Sequence, residues 1–429
     1  MSLPLQWAKF APQPRPLTTG DKWNVFLSYR SVNRSWVLNL YDVLREHGHS
    51  VFLDQCVLKA GAELTTELQD GLRTSQAGVL VWSKSTRDSD WVNKEYQVLE
   101  RQATRKPGFQ FVPVRLDSTD LPDFAANRLF LDFSAYPDGP NGGELLRLLH
   151  AVVGKPLSEE AARAANEQDE LSKKVAATVG AAIRNKDSKR LIQLFSENGP
   201  AWQTSAALGC KAAEGLAKLG CYNEAIQMLE TLEQSFPMAI RPKQLHALAL
   251  ARRGEGDDLM KAQEILGSLY ELGERDPETL GIYGRTWMDR YEKSGDVQDL
   301  KQSRDLYVEA FDGAQDDYYT GINAAAKSVF LGTDMDLKRA AEYAERVQQI
   351  VGTKPHPNDY WETATVAETF LIQKQYAQAG ALYEAAVSMA RAEVGSHQST
   401  WKQARRLLDK LQPTAEEHAL VRQPFEHLN

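Results

Sequence analysis

The stretch W23-N-V-F-L-S-Y29, followed by R34-S-W-V-L-N-L-Y-D-V-L-R-E-H-G48 and S50-V-F-L-D54, decides the fold. Its first and third pieces are short apolar runs of the kind that form buried strands. The middle piece carries apolar residues at helical spacing and ends at a glycine. The alternation continues with a helix over 63–75, a strand A77-G-V-L-V-W-S83, a helix from Ser89, strands at 109–115 and 128–133, and a helix over 143–153. Strand and helix alternating in this way, with continuously apolar strands, predict a parallel five-stranded sheet covered by helices on both faces, a doubly wound α/β domain.

One helix breaks its own pattern. In S89-D-W-V-N-K-E-Y-Q-V-L-E100 the residues Trp91, Val92, Val98 and Leu99 form an apolar stripe at helical spacing, and Glu95 falls inside it. A buried, unpaired carboxylate costs several kcal/mol, so it is kept where it is paired, exposed in a cleft, or used. The plain alternative places Glu95 at the solvent edge of the stripe. In doubly wound folds, ligands bind outside the carboxyl ends of the strands, where strand order reverses. With strand order 2-1-3, the segments after the first three strands surround one cleft, and Glu95 faces it from the first turns of its helix.

Four ordered motifs carry a family resemblance: F26-L-S-Y-R30, V51-F-L-D54 with L58-K-A-G61, S75 with V79-L-V-W-S83, and S89-D-W-V-N-K-E95. Together they resemble a Toll/interleukin-1 receptor (TIR) domain over residues 21–154. Trp91 and Glu95 match the tryptophan–glutamate pair of TIR domains that cleave NAD+, which implies Glu95 as the catalytic residue. The resemblance further implies that Tyr29, Arg30 and Ser31 line the substrate site and that 55–61 is the mobile BB loop, which carries the candidates Lys59 and Gly61; Ser28 and Ser83 offer hydroxyls at the cleft floor and Trp91 a flat apolar wall. Lys59 stands where some NAD-cleaving relatives carry an acidic residue, and Ser31 where some carry a second arginine. Chemically, Arg30 suits the pyrophosphate, because a guanidinium makes charge-assisted and often bidentate contacts. NAD+ enters as substrate; no cofactor is expected.

Residues 1–20 read as an arm and 155–175 as a helical linker. Beyond them, helical periodicity runs over 176–412, and 413–429 read as a tail. The small residues Ala225, Ala262, Ser303, Ala340 and Ala379 recur at separations of 37, 41, 37 and 39. That is the period of a helix-turn-helix solenoid, and it resembles degenerate tetratricopeptide (TPR) repeats. The pieces D276-P-E-T-L-G-I-Y-G-R-T-W-M-D-R-Y291 and D317-Y-Y-T-G-I-N-A-A-A326 are similar to the TPR-like TRAF-binding region of apoptosis-signalling MAP kinase kinase kinases. An unknown protein or ligand trigger is expected at these repeats.

Composition narrows the remaining choices. Up to Gly154 there are 17 Lys+Arg and 17 Asp+Glu, against 33 and 41 thereafter, so the whole net charge of −8 lies in the second part. With no basic stripe, nucleic-acid binding is disfavoured. No apolar run reaches the roughly 18 residues needed to cross a bilayer, and no signal-peptide pattern opens the chain, so a cytoplasmic protein is expected. Cys56, Cys210 and Cys221 have neither disulfide nor zinc-ligand spacing, and no metal site is expected. Three readings stay open. The first is an NAD+ nucleosidase acting by hydrolysis or cyclisation, regulated by assembly through the helical repeat domain and forming a homo-oligomer through TIR contacts, with antiphage defence implied by family analogy. The others are a non-catalytic adaptor and a nucleoside-processing glycosidase on the same fold.

Overall fold

The computed structural model describes residues 8–29, 33–53, 64–84, 90–120, 129–197, 202, 204–314, 317–354 and 359–428, with the side chains at 8, 64–67 and 90–97 outside the described set. Strands β1 (Trp23–Ser28), β2 (Val51–Phe52), β3 (Ser75–Trp82), β4 (Gln110–Arg115) and β5 (Leu131–Asp132) form one sheet in the order β2-β1-β3-β4-β5. Every neighbouring pair is parallel. Between the strands run α1 (Arg34–Glu46), α2 (Leu64–Arg73), α3 (Asp90–Arg105) and, after β5, α4 (Gly143–Val153).

The strand pattern follows from burial on both faces. All eight residues of β3 are buried. On one face Phe26, Leu80 and Trp82 pack with Leu68 and Leu72 of α2 and Leu99 of α3. On the other face lie Val25, Leu27, Val79 and Val81, at most 2% exposed, and α4 contacts both β3 and β4. Gly78 permits a close helix approach: a Cβ there would sit 2.1 Å from Leu99 Cδ2. Leu99 is thereby fixed against the middle of β3, and α3 is held at one height over the sheet.

Ahead of β1, the arm is pinned to the sheet edge. Arg15 donates to the carbonyls of Gln76 and Gly108 at 2.8 and 2.7 Å. Asn24 Nδ2 donates to the Arg15 carbonyl at 2.8 Å. His49, between α1 and β2, is 4% exposed, and neither ring nitrogen has a hydrogen-bond partner.

The chain divides into two compact units, 1–265 and 266–429. In the first unit the sheet domain is followed by α5 (Glu159–Arg184), α6 (Ser188–Glu197), α7 (Ala207–Lys218), α8 (Tyr222–Ser235) and α9 (Ile240–Arg253). Helix α5 begins at a Ser158 cap and buries Ala161, Ala165, Ser172, Val175 and Val179. The segment read as a linker over 155–175 thus enters one packed helix that runs on to Arg184. Helix α10 (Asp258–Glu271) spans the division between the units.

In the second unit α11 (Pro277–Ser294), α12 (Val297–Gly313), α13 (Tyr318–Leu331), α14 (Asp334–Val351), α15 (Tyr360–Ile372) and α16 (Tyr376–Met389) each pack on the next. This is the stacked-hairpin arrangement of TPR-like helices. Ala225, Ala262, Ser303, Ala340 and Ala379 are all at most 1% exposed. Ser303 shows why they are small: its hydroxyl donates to the Gly284 carbonyl at 2.7 Å, and a Cβ on Gly284 would meet the Tyr307 ring at 2.9 Å. Helix α17 (Val394–Leu411) contacts α13 and α15. Residues read as a tail form α18 (Ala415–Arg422) and a 3-10 turn at Gln423–Leu428. Phe425 of that turn is fully buried and stacks on Trp401 at 5.4 Å. No described helix is long and apolar enough to cross a membrane.

In the first unit, a carboxylate of α1 is among the side chains that join the sheet domain to the helices that follow. Asp42 on α1 is 3% exposed, and its Oδ2 accepts from the Ile240 and Arg241 amides at 2.9 and 3.5 Å. Helix α9 has no side-chain cap of its own at Ala239, so a carboxylate from α1 satisfies its first donors. Replacing Asp42 by Ala leaves those buried donors orphaned and lowers stability by about 1–3 kcal/mol. Asp42→Asn keeps an acceptor and loses much less. Urea midpoints of the two variants check this; equal losses would remove the cap from the account.

Burial, with His47 nearby, holds the His49 imidazole down at about 4, below the ordinary value of 6.5. A lowered folded pKa stabilises above the unfolded value and is lost on acidification through it. Stability is therefore expected to fall between about pH 6.5 and 4, by up to about 3 kcal/mol from this residue. Unfolding titrations at stepped pH should show a flatter slope for His49→Leu in that window; parallel slopes would count against the assignment.

Candidate functional site

Strand order reverses between β1 and β3, so their carboxyl ends mark the crevice of the doubly wound sheet. Ser28, the last residue of β1, is 1% exposed and pairs in register with Leu80 of β3. Ser83, one residue beyond β3, is 5% exposed. Its hydroxyl accepts from Asn33 Nδ2 at 3.0 Å, across 50 residues of sequence. Asn33 precedes α1 and caps it through no side-chain bond; its amide spans the gap between the ends of β1 and β3 instead.

The β4 side of the edge is fixed by a carboxylate. Asp117 accepts from the Lys84 amide at 2.7 Å and from the Thr119 amide at 2.9 Å. Burial pushes its carboxyl up, but these hydrogen bonds and Arg115 outweigh it, and the group stays below the usual range. The Leu116 amide donates to the Trp82 carbonyl at 2.8 Å, and Trp82 Nε1 to the Asp120 carbonyl at 3.1 Å. At the last strand, Arg115 pairs with Asp132 at 2.5 Å and lies 4.6 Å over the Phe130 ring. Among the described residues, this edge of the sheet thus carries fixed hydroxyls, amides and the Asp117 and Asp132 carboxylates.

Of the residues singled out in the sequence, Ser28, half-buried Tyr29 and Ser83 lie at this edge. Trp91 and Glu95 belong to α3; their side chains lie outside the described set. The position of α3 is nevertheless fixed by Leu99 on Gly78. Glu95 is four residues earlier, about 6 Å along the axis by the rise of 1.5 Å per residue. Because α3 runs back across the sheet, that offset is toward the carboxyl ends of the strands. Arg30, Ser31, Lys59 and Gly61 lie outside the described residues, as does the loop 55–61.

Sequence reasoning missed Asn33 and Asp117. Asn33 carries a helix-start signal, but its use as a bridge to Ser83 depends on a partner 50 residues away. Nothing local marks Asp117. Among the described residues no group of His, Cys, Asp and Glu has a metal-holding arrangement.

Behind the edge, residues 135–141 meet the helices of the same unit. Trp36 Nε1 donates to the Tyr136 carbonyl at 2.9 Å. Tyr136 donates to Asp169 Oδ1 of α5 at 3.0 Å, and the Ser205 hydroxyl donates to the Pro140 carbonyl at 2.6 Å. Lys211 of α7 pairs with Asp138 at 2.7 Å.

Residues 25–148 match the TIR domain family, and residues 221–328 match Tetratricopeptide Repeats-Sensor. The chain is similar to 2' cyclic ADP-D-ribose synthase AbTIR of Acinetobacter baumannii, with 28% identity over 113 residues, which is 25% of this chain. The match spans 41% of that protein's length. Among solved structures, the chain resembles yeast Tom70 at a TM-score of 0.41 and 11% identity, over 97% of this chain and 71% of that one. It also resembles the TPR2AB domain of yeast Sti1 in complex with pHSP90, at a TM-score of 0.20 and 17% identity, over 56% of this chain and 98% of that one.

Proposed function

We propose that this TIR-domain chain is an NAD+ nucleosidase, with Glu95 as its catalytic carboxylate. The observation that carries the reading is the position of residue 95 on α3, one turn before the residue anchored on Gly78 and on the side of the carboxyl ends of the strands. The TIR match over 25–148 and the similarity to a cyclic ADP-ribose synthase support it.

Cleavage of the nicotinamide–ribose bond passes through an oxocarbenium-like centre. Nicotinamide leaves with the bonding pair and becomes neutral, so no strong general acid is required. A single carboxylate accepts hydrogen bonds from the ribose hydroxyls and stabilises the positive charge at the anomeric carbon, more strongly where water is excluded. Attack by water then gives ADP-ribose and a proton; attack by a hydroxyl of the same molecule gives a cyclic product. Arg30 is assigned to the pyrophosphate, and Ser28, Tyr29, Ser31, Ser83 and Trp91 to the walls of the cleft, with Lys59 and Gly61 on the loop that closes it. The helical repeats assemble the chain in response to a trigger, in a defence role.

Mass spectrometry of NAD+ incubated with concentrated full-length protein tests the reading. The expected result is release of nicotinamide, with turnover per subunit rising with concentration, and a loss of at least about 100-fold in Glu95→Ala, the scale of removing one charge-stabilising group. Inert wild type under forced assembly, or equal turnover in the variant, would leave the adaptor reading in its place.

A further inference from the structure

The first unit contains a cavity of about 670 Å³ between residues 135–141 and helices α5 and α7. Ligand pockets range over about 300–1,000 Å³, so this one is of nucleotide size. The described residues that line it come from 135–141, α5 and α7, and the cleavage mechanism makes no use of them.

The lining has a flat apolar part and a cationic part. Ala176, Ala177 and Gly180 on α5 present almost no side chain, with Leu208 of α7 opposite. Lys173 and Arg184, also on α5, and Lys211 on α7 bring three cations to the lining against one anion, Asp138. Lys173 is paired with Asp169 at 2.5 Å and Lys211 with Asp138 at 2.7 Å. Arg184 has no acidic partner among the described residues; one of its terminal nitrogens folds back to 3.3 Å from where a Cβ on Gly180 would stand. A guanidinium at a nucleotide-sized cavity and without a carboxylate is suited to a phosphate.

A second, independent observation comes from the sheet-domain wall. Asn141 is 1% exposed and its Oδ1 accepts from the Gly142 amide at 2.9 Å and from the Thr204 hydroxyl. Its Nδ2 is buried without a hydrogen-bond partner. Buried polar groups are satisfied in the great majority of cases, so a lining residue with an orphaned donor sets this wall apart from ordinary packing. A smaller cavity of about 220 Å³ shares Pro137, Asp138, Ala207 and Lys211 with the first and extends to Asn33, the residue that donates to Ser83 at the crevice.

We infer that this cavity is a binding site for a nucleotide, distinct from the crevice at the sheet edge. The flat floor of Ala176, Ala177 and Gly180 takes the base, and Arg184, with Lys173 and Lys211, takes the phosphates. An anion seated there competes with Asp138 for Lys211, and Asp138 stands in the wall shared with the cavity that reaches Asn33.

Calorimetric titration of ADP into the full-length protein tests the site, with inorganic pyrophosphate as the comparison probe. Ala177 and Arg184 are exposed, so Ala177→Trp, which fills the cavity, and Arg184→Glu, which inverts its charge, are expected to leave the fold intact by thermal unfolding. The expected result is saturable ADP binding that weakens at least about tenfold in both variants, is retained in Arg184→Lys and exceeds pyrophosphate binding. Absence of saturable binding at millimolar ADP, ADP affinity unchanged in the two variants, or pyrophosphate binding as tight as ADP would each overturn it. The readout is equilibrium binding, so a negative result leaves the NAD+ cleavage reading where it stood, and inert protein in the cleavage assay leaves this one.

Discussion

The parallel pairing of β1 with both β2 and β3 is the constraint on which the sheet domain depends. Parallel neighbours cannot be joined by a tight turn, so the connections from β1 to β2, β2 to β3 and β3 to β4 cross over through helices that cover the sheet. The same pairing forces the chain to wind one way from β1 to β2 and the other way from β3 outward. At that reversal the covering helices diverge, and Ser28 and Ser83 are left at the floor of a crevice instead of beneath a helix. The site is a by-product of strand order.

Fixing the crevice takes more than the sheet. Asn33 ties the start of α1 to the end of β3, and Asp117 ties the end of β3 to the end of β4. Helix α1 then serves a second purpose at its other end. Asp42 caps α9, and Glu46 Oε1 accepts from the Met238 amide at 2.6 Å. Burial pushes the Glu46 carboxyl up, partly offset by that amide and by Lys243 and Arg45. One helix therefore bears both on the crevice edge and on the first helices of the repeat region, through polar groups held out of water. Such groups are costly to disturb, because removing one partner leaves the other buried and unsatisfied.

The repeat helices follow a simpler rule. Small residues at the crossings let backbones approach, and at Ser303 the Tyr307 ring of the next turn fills the space against Gly284. Charged groups do enter this packing. Lys327 is 5% exposed, bonded to Asn323 Oδ1 at 2.8 Å and set near the rings of Tyr307 and Phe330. Burial pulls its ammonium below the ordinary lysine range, against the opposing pull of Glu368.

The sequence by itself determined the element types, the five parallel strands and the period of the repeats. Each of these rests on patterns a few residues long: continuous apolar runs for strands buried on both faces, a 3.6-residue stripe for helices, a small residue where two helices cross. It also singled out Glu95, because a carboxylate inside an apolar stripe violates a local rule. Only the tertiary structure decided that Asn33 reaches Ser83, that Asp42 caps a helix 198 residues away, that α5 packs along its length, and that a cavity with an orphaned amide lies behind the crevice. These features join groups distant in sequence, whose pairing is set by how the layers stack; no short window of the chain contains both partners, so no local pattern encodes them.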